Sequence, residues 1–117
     1  MRENKSFGSD KMKEDVIFSQ GDGSLTVKIC CELDHHTVRR IRERIDARLF
    51  KDKPERLMLD FSGVGFMDSS GIGLILGRVE TARVVGAVVC ITGASPMLMK
   101  LLRLSGVEKI KNLTVMR

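Results

Sequence analysis

Short runs of β-branched and aliphatic residues alternate along the chain with segments whose apolar residues recur at helical spacing. Residues 16–18 and 25–30 form the first two runs, and the Asp-Gly pair at 22–23 between them predicts a β-hairpin. Compact apolar runs over 57–61 and 87–91 are typical of buried strands, and 113–115 completes the set as a short final strand.

Three amphipathic segments between these runs are predicted to be helices. Asp34 or Thr37 can cap the first, Ser95 the third, and Gly86 and Gly106 can end the second and third with a positive φ. The predicted ranges are 37–50, from 69 or 70 to about 85, and 96–105. The predicted core-facing residues are Val38, Ile41, Ile45 and Leu49 in the first helix, Ile72, Leu76, Val79 and Ala82 in the second, and Leu98, Leu101 and Leu102 in the third.

Alternation of strands with helices predicts an α/β fold with a mostly parallel sheet and helical crossovers. Such a sheet collects its functional loops at the carboxyl ends of its strands. Two segments fall there, 32–37 and 66–71. Residues 1–14 are polar and aperiodic, so we expect a flexible N-terminal extension followed by a single domain over 15–117.

Composition narrows the class of protein. Hydrophobic residues make up 43% and charged residues 30%, which is typical of a soluble globular domain. No apolar run approaches the roughly 20 residues of a membrane span, and no signal-peptide core follows Met1. We therefore expect a cytoplasmic protein that makes no membrane contact.

The three cysteines indicate neither a disulfide framework nor a zinc site, because their number is odd and no Cys-x-x-Cys spacing occurs. Cys30 and Cys90 are interpreted as small core residues. The formal net charge of +5 invites a nucleic-acid interpretation, but no aromatic residues that could stack on bases accompany the arginines. A solvated helix face explains them better. These arginines are Arg39, Arg40, Arg42, Arg44 and Arg48.

The sequence contains no motif that indicates a catalytic site or a metal site. Asp34-His35-His36 contains the only two histidines, and adjacent side chains do not converge on one ion. The glycines at 71, 73 and 77 have the wrong spacing for a dinucleotide fingerprint, and Ser69 lacks the Gly-x-Ser-x-Gly elbow of hydrolases. We therefore expect no enzyme activity, no metal and no cofactor.

Asp68-Ser69-Ser70 lies where a strand is predicted to turn into a helix. A hydroxyl there is expected to be exposed, and the helix N-terminus offers unpaired N–H groups and the positive end of the helix dipole. A phosphate would be tolerated by the fold but would add nearly two negative charges beside Asp68. On these grounds alone the two serines can equally well act only as helix caps.

Two segments are distinctive: Glu32-Leu33-Asp34-His35-His36-Thr37 and Phe66-Met67-Asp68-Ser69-Ser70-Gly71-Ile72-Gly73. Both closely resemble segments of the bacterial anti-anti-sigma factors, including the sporulation member. The resemblance covers about residues 15–117. It implies a STAS fold, in which a four- or five-stranded mixed sheet carries helices mainly on one face.

The resemblance also implies a partner switch. The unphosphorylated protein would bind an anti-sigma factor that is a serine kinase, the sigma factor would be freed, and the kinase would phosphorylate Ser69. A PP2C-type phosphatase would reverse this, and the free protein would be a monomer. The implied partner-binding residues are Asp34, His35, Asp68, Ser70, Gly71, Ile72, Leu74 and Ile75. The alternative is a STAS module that binds a nucleotide or lipid within a sensing or transport complex.

Overall fold

A computed structural model describes residues 14–116, so the predicted extension lies, apart from Glu14, outside the described residues. The order of elements confirms the predicted alternation and the α/β class. The strands are β1 (Val16–Gly21), β2 (Ser24–Ile29), β3 (Arg56–Asp60), β4 (Val88–Thr92) and β5 (Leu113–Val115). The helices are α1 (His35–Asp52), α2 (Ser69–Val85) and α3 (Pro96–Ser105), and a 3₁₀ turn follows at Val107–Lys109.

The five strands lie side by side in chain order. β1 and β2 form the predicted antiparallel hairpin, and Asp22 and Gly23 in its two-residue turn have φ of 53° and 78°. These positive angles are the ones that a type I′ hairpin turn requires. The pairs β2–β3, β3–β4 and β4–β5 are parallel, and each is joined by a helical crossover. The sheet is therefore mixed, as predicted.

One face of the sheet is buried and the other is partly open. Leu25, Leu57, Val89 and Leu113 pair across the sheet in one buried row, and Val27, Leu59 and Ile91 form the next. The alternate residues Met58 and Cys90 are only half-buried. This pattern fits helices packed on one face, and the predicted buried strands β3 and β4 are fully buried only on that face. Cys30 and Cys90 are accordingly half-buried rather than core residues.

The buried faces of the helices agree with the prediction only in part. All four predicted residues of α1 are buried. In α2 the buried set is Gly71, Leu74, Ile75, Arg78, Val79 and Ala82, so the predicted placement of Ile72 and Leu76 in the core was wrong. In α3, Leu98 and Leu102 are buried, whereas Leu101 is half-buried at the margin of the core.

Candidate functional site

The loops before α1 and α2 meet at the carboxyl edge of the sheet. The Leu33 N–H donates to the Phe66 carbonyl at 2.9 Å, and the Asp68 N–H donates to the Leu33 carbonyl at 3.1 Å. Leu33 and Met67 thereby form an isolated parallel bridge. Two segments that are more than 30 positions apart in the sequence thus make one continuous surface.

Asp34 begins α1 through a complete capping box. Its carboxylate accepts the backbone N–H groups of His36 at 2.9 Å and Thr37 at 3.0 Å, while the Thr37 hydroxyl accepts the Asp34 N–H at 3.0 Å. The same hydroxyl donates to the Glu32 carbonyl at 2.6 Å. The bond from the Thr37 backbone is the main cause that lowers the pKa of the Asp34 carboxyl below its usual 3.8.

Asp68 begins α2 with a simpler cap. Its carboxylate accepts the Ser70 N–H at 2.7 Å, and its carbonyl accepts the Gly71 N–H at 2.9 Å. Ser69 is the first residue of α2 and is exposed, whereas Ser70 is half-buried. The hydroxyl most accessible from solvent at this turn therefore belongs to Ser69.

Gly71 allows the two loops to pack closely against α2. A Cβ at this position would collide with the Met67 side chain and come within 3.3 Å of the Leu33 Cβ. Met67 and Leu33 are themselves buried, at 5% and 0% exposure. The absence of a side chain at Gly71 therefore lets the bridged loops pack directly under the first turn of α2.

The remaining predicted partner-binding residues of α2 differ in exposure. Ile72 is half-buried, but Leu74 and Ile75 are 1% and 0% exposed and belong to the core. Their side chains support the helix from inside and cannot reach a partner in this conformation. Phe66, which precedes α2, is 47% exposed, and Leu76, which the sequence predicted to face the core, is 40% exposed.

His35 and His36 are exposed, and their rings meet edge to face with centroids 5.4 Å apart. Within residues 14–116 no group of three or more His, Cys, Asp or Glu side chains is arranged to hold a metal ion. None of the helices in the described part of the chain has the length and apolar character of a membrane span.

The STAS domain family matches residues 15–115 of the chain. The chain belongs to this family. An anti-sigma F factor antagonist of Lysinibacillus sphaericus is 35% identical over 83 residues, which are 71% of each chain. The anti-sigma F factor antagonist of Paenibacillus polymyxa is 36% identical over 88 residues, which are 75% of each chain.

Solved structures agree with this assignment. The anti-sigma factor antagonist SpoIIAA in its unphosphorylated form is 26% identical with a TM-score of 0.65, over 87% of both chains. The phosphorylated form of SpoIIAA from Bacillus is 27% identical with the same TM-score, over 87% of this chain and 91% of that one. The fold around the two loops is therefore the STAS fold.

The arginines of α1 in this STAS domain divide into two rows that sequence reasoning treated as one solvated face. Arg40, Arg44 and Arg48 form ion pairs with Asp15, Glu14 and Asp52 at 3.0–3.1 Å. Arg44 and Arg48 also lie over the Phe18 ring, at 5.9 and 4.7 Å from its centroid. This row is therefore occupied by contacts within the domain.

The other row, His35, Arg39 and Arg42, faces α2 across a groove of about 530 Å³. Ser70, Gly73, Gly77 and Arg78 line the opposite side. Arg78 is only 7% exposed and pairs with Asp46 of α1 at 2.8 Å. The groove is thus cationic on its α1 side. On its α2 side Gly73 and Gly77 leave the helix backbone without side chains.

Proposed function

We propose that this STAS domain is an anti-anti-sigma factor with a role in sporulation. In its unphosphorylated form it binds an anti-sigma factor that is also a serine kinase, and the sigma factor is released. Phosphorylation of Ser69 by that kinase switches the protein off, and a PP2C-type phosphatase restores it. The protein acts by binding and not as an enzyme.

The observation that carries this proposal is the exposed Ser69 hydroxyl directly after the Asp68 cap, at the first position of α2. The relatives in Lysinibacillus and Paenibacillus are named anti-sigma F factor antagonists, and SpoIIAA has been solved in both phosphorylation states. A helix N-terminus accommodates a phosphate because its free N–H groups and its dipole favour negative charge.

The docking surface we propose surrounds this hydroxyl. Asp34, His35, Asp68 and Ser70 contribute the polar part, and the backbone at Gly71 brings them together. The apolar part consists of half-buried Ile72 and exposed Leu76, one helical turn apart, together with exposed Phe66. The side chains of Leu74 and Ile75 are left out because they lie in the core.

A phosphate on Ser69 would lie in the middle of this surface. It adds about two negative charges and three bulky oxygens beside the Asp68 carboxylate. A partner surface shaped around a small neutral hydroxyl would meet steric conflict and, where it carries carboxylates, charge repulsion. The fold itself would be little disturbed, so the modification would act on affinity rather than on stability.

The proposal is tested by release of a sigma factor. The anti-sigma F factor of Lysinibacillus sphaericus is purified in complex with its fluorescently labelled sigma factor, and the chain is added while anisotropy is followed. The Lysinibacillus relative serves as the positive control. We expect anisotropy to fall for both proteins. If the relative releases the sigma factor and this chain, shown to be folded by circular dichroism, neither binds nor releases, the proposed role fails for this target.

A further inference from the structure

The described residues 14–116 leave an open groove between α1 and α2. Among residues 14–116, Arg39 and Arg42 have no carboxylate within 4 Å, in contrast to Arg40, Arg44 and Arg48 on the same helix. The residues that line the groove include no aspartate or glutamate. An unneutralised row of cations beside a wide groove is a surface with high affinity for negative charge.

Arg78 lies on the α2 side of the groove, opposite the α1 cations. Arg78 is almost fully buried, and its charge is balanced in the described residues by Asp46. Burial is the main cause that lowers the pKa of Arg78, and the positive charge of Arg42 lowers it further, while Asp46 opposes both. Arg42 and Arg78 line the same groove, so an anionic occupant would relieve the repulsion between their charges.

The glycines of α2 also support an occupant from outside the domain. A Cβ at Gly73 or Gly77 would meet no atom within 4 Å, so packing inside the domain does not require glycine at either position. Glycine in the interior of a helix lowers stability relative to alanine. Gly71, where a Cβ collides with Met67, shows the contrasting case in which the fold itself needs the glycine. Gly73 and Gly77 leave room for something outside the domain.

We propose that this groove receives an acidic, helical or extended segment of a protein partner, whose carboxylates bind Arg39 and Arg42 while its backbone lies over Gly73 and Gly77. The inference rests on the proposed function to the extent that the same partner also contacts the Ser69 turn, since His35 and Ser70 belong to both surfaces. It adds a second contact region that does not depend on the phosphate switch.

Charge complementarity selects this occupant over the others. Residues 1–13 carry four basic and two acidic side chains, so that segment of the chain is itself positive. A second copy of the chain has a net charge of +5 and would be repelled as a whole. A nucleotide would find no Phe, Tyr or Trp side chain for its base among the lining residues. An acidic polypeptide satisfies the unpaired cations Arg39 and Arg42.

The first test uses charge reversal. Affinity for the anti-sigma F factor of Lysinibacillus sphaericus is compared for the Arg39→Glu/Arg42→Glu protein and for a matched Lys100→Glu/Arg103→Glu protein, which changes the net charge equally on α3. We expect the groove variant to bind about tenfold or more weakly at low salt and the control to change about twofold or less. Equal losses in both variants would overturn the proposal, because net charge alone would explain them.

A second test does not need that partner. The full chain, labelled with ¹⁵N, is titrated with a synthetic helical peptide of Glu, Ala and Leu, and separately with ATP and inorganic phosphate. We expect the acidic peptide to shift amides over 35–42 and 70–78 more strongly than a Gln-for-Glu control peptide. Gly73→Ala should weaken this binding while the Tm stays equal or rises. Shifts centred on Arg40 and Arg44, or tighter binding of ATP or phosphate at the same amides, would overturn it.

The two tests separate the inference from the function on which it rests. If the anti-sigma factor fails to bind the wild-type chain but the acidic peptide occupies the groove, the proposed function fails and the docking surface stands. If the anti-sigma factor binds and neither the groove variant nor Gly73→Ala weakens it, the groove proposal fails and the function stands.

Discussion

α1 and α2 both begin at an aspartate cap on the same edge of the sheet, yet the two helix N-termini are built differently. At α1, Asp34 accepts two backbone N–H groups and Thr37 returns a bond to the Asp34 N–H. At α2, the Asp68 carboxylate accepts only the Ser70 N–H among the described residues, and the third helical position is Gly71. The first N-terminus is closed by its own side chains, and the second is left open.

This difference separates a structural role from a regulatory one. A capping box satisfies the free donors of a helix and fixes the direction of the chain that enters it. An N-terminus with fewer side-chain acceptors keeps donors available for an added group. The exposed Ser69 lies at the open N-terminus, while the corresponding first residue of α1 is His35.

Phosphate incorporation should depend entirely on the first residue of α2. With an anti-sigma kinase that labels the wild-type chain, Ser69→Ala should take up no phosphate, because the accessible acceptor is gone. Ser70→Ala should be labelled as fast as the wild type, since that half-buried hydroxyl is not the acceptor. Mass spectrometry of the labelled chain checks both. Labelling of the Ser69→Ala protein at the wild-type rate would refute the assignment.

Gly71→Ala should lower the free energy of unfolding by about 1–3 kcal/mol, because the new Cβ collides with Met67 in a packed position. Gly73→Ala on the same helix is the matched control. Its Cβ meets open space, so stability should stay equal or rise by about 0.5–1 kcal/mol. Urea unfolding measures both. Equal effects of the two substitutions would mean that Met67 does not fix the open N-terminus.

Removing the caps should cost the closed N-terminus more than the open one. Asp34→Ala leaves two backbone N–H groups without their acceptor, whereas Asp68→Ala leaves one. We therefore expect a larger drop in Tm for Asp34→Ala. Thermal unfolding followed by circular dichroism compares the two variants under identical conditions. A larger drop for Asp68→Ala would contradict the contrast drawn between the two caps.

The smallest effect concerns pH. Because the folded-state pKa of Asp34 lies below its usual 3.8, the ionised carboxylate stabilises the folded protein above that pH, and this contribution disappears as the pH falls through the lowered value. Asp34→Asn keeps a capping oxygen but does not titrate. The wild type should therefore have the higher Tm at pH 7, and the two values should converge as the pH falls below 3.8. A constant difference would assign the effect to something other than this ionisation.

The sequence predicted α1 better than α2 for a physical reason. In α1, arginines alternate sharply with Val38 and Ile41, so the pattern allows only one face of the helix to be buried. α2 is apolar on several sides, and its true buried face includes Arg78, which is inside only because Asp46 on another helix neutralises it. Such a tertiary partner has no signature in the local pattern.

The same reasoning applies to the candidate site. The two loops could be placed together because the carboxyl ends of neighbouring parallel strands share an edge. The division of the α1 arginines could not be predicted, because it depends on which of them lie near Asp15 and Glu14 of the segment that leads into β1. Burial of Leu74 and Ile75 likewise followed only from the packing of α2.

The proposed switch at the open N-terminus of α2 is tested most directly by comparing the partner affinity of the chain with and without phosphate on Ser69. The chain is produced with phosphoserine incorporated at position 69, and its binding to the anti-sigma F factor is measured by calorimetry beside the unmodified chain. We expect the phosphorylated protein to bind at least about a hundredfold more weakly, which corresponds to about 2.8 kcal/mol, with an unchanged Tm. Equal affinities of the two forms would contradict the switch.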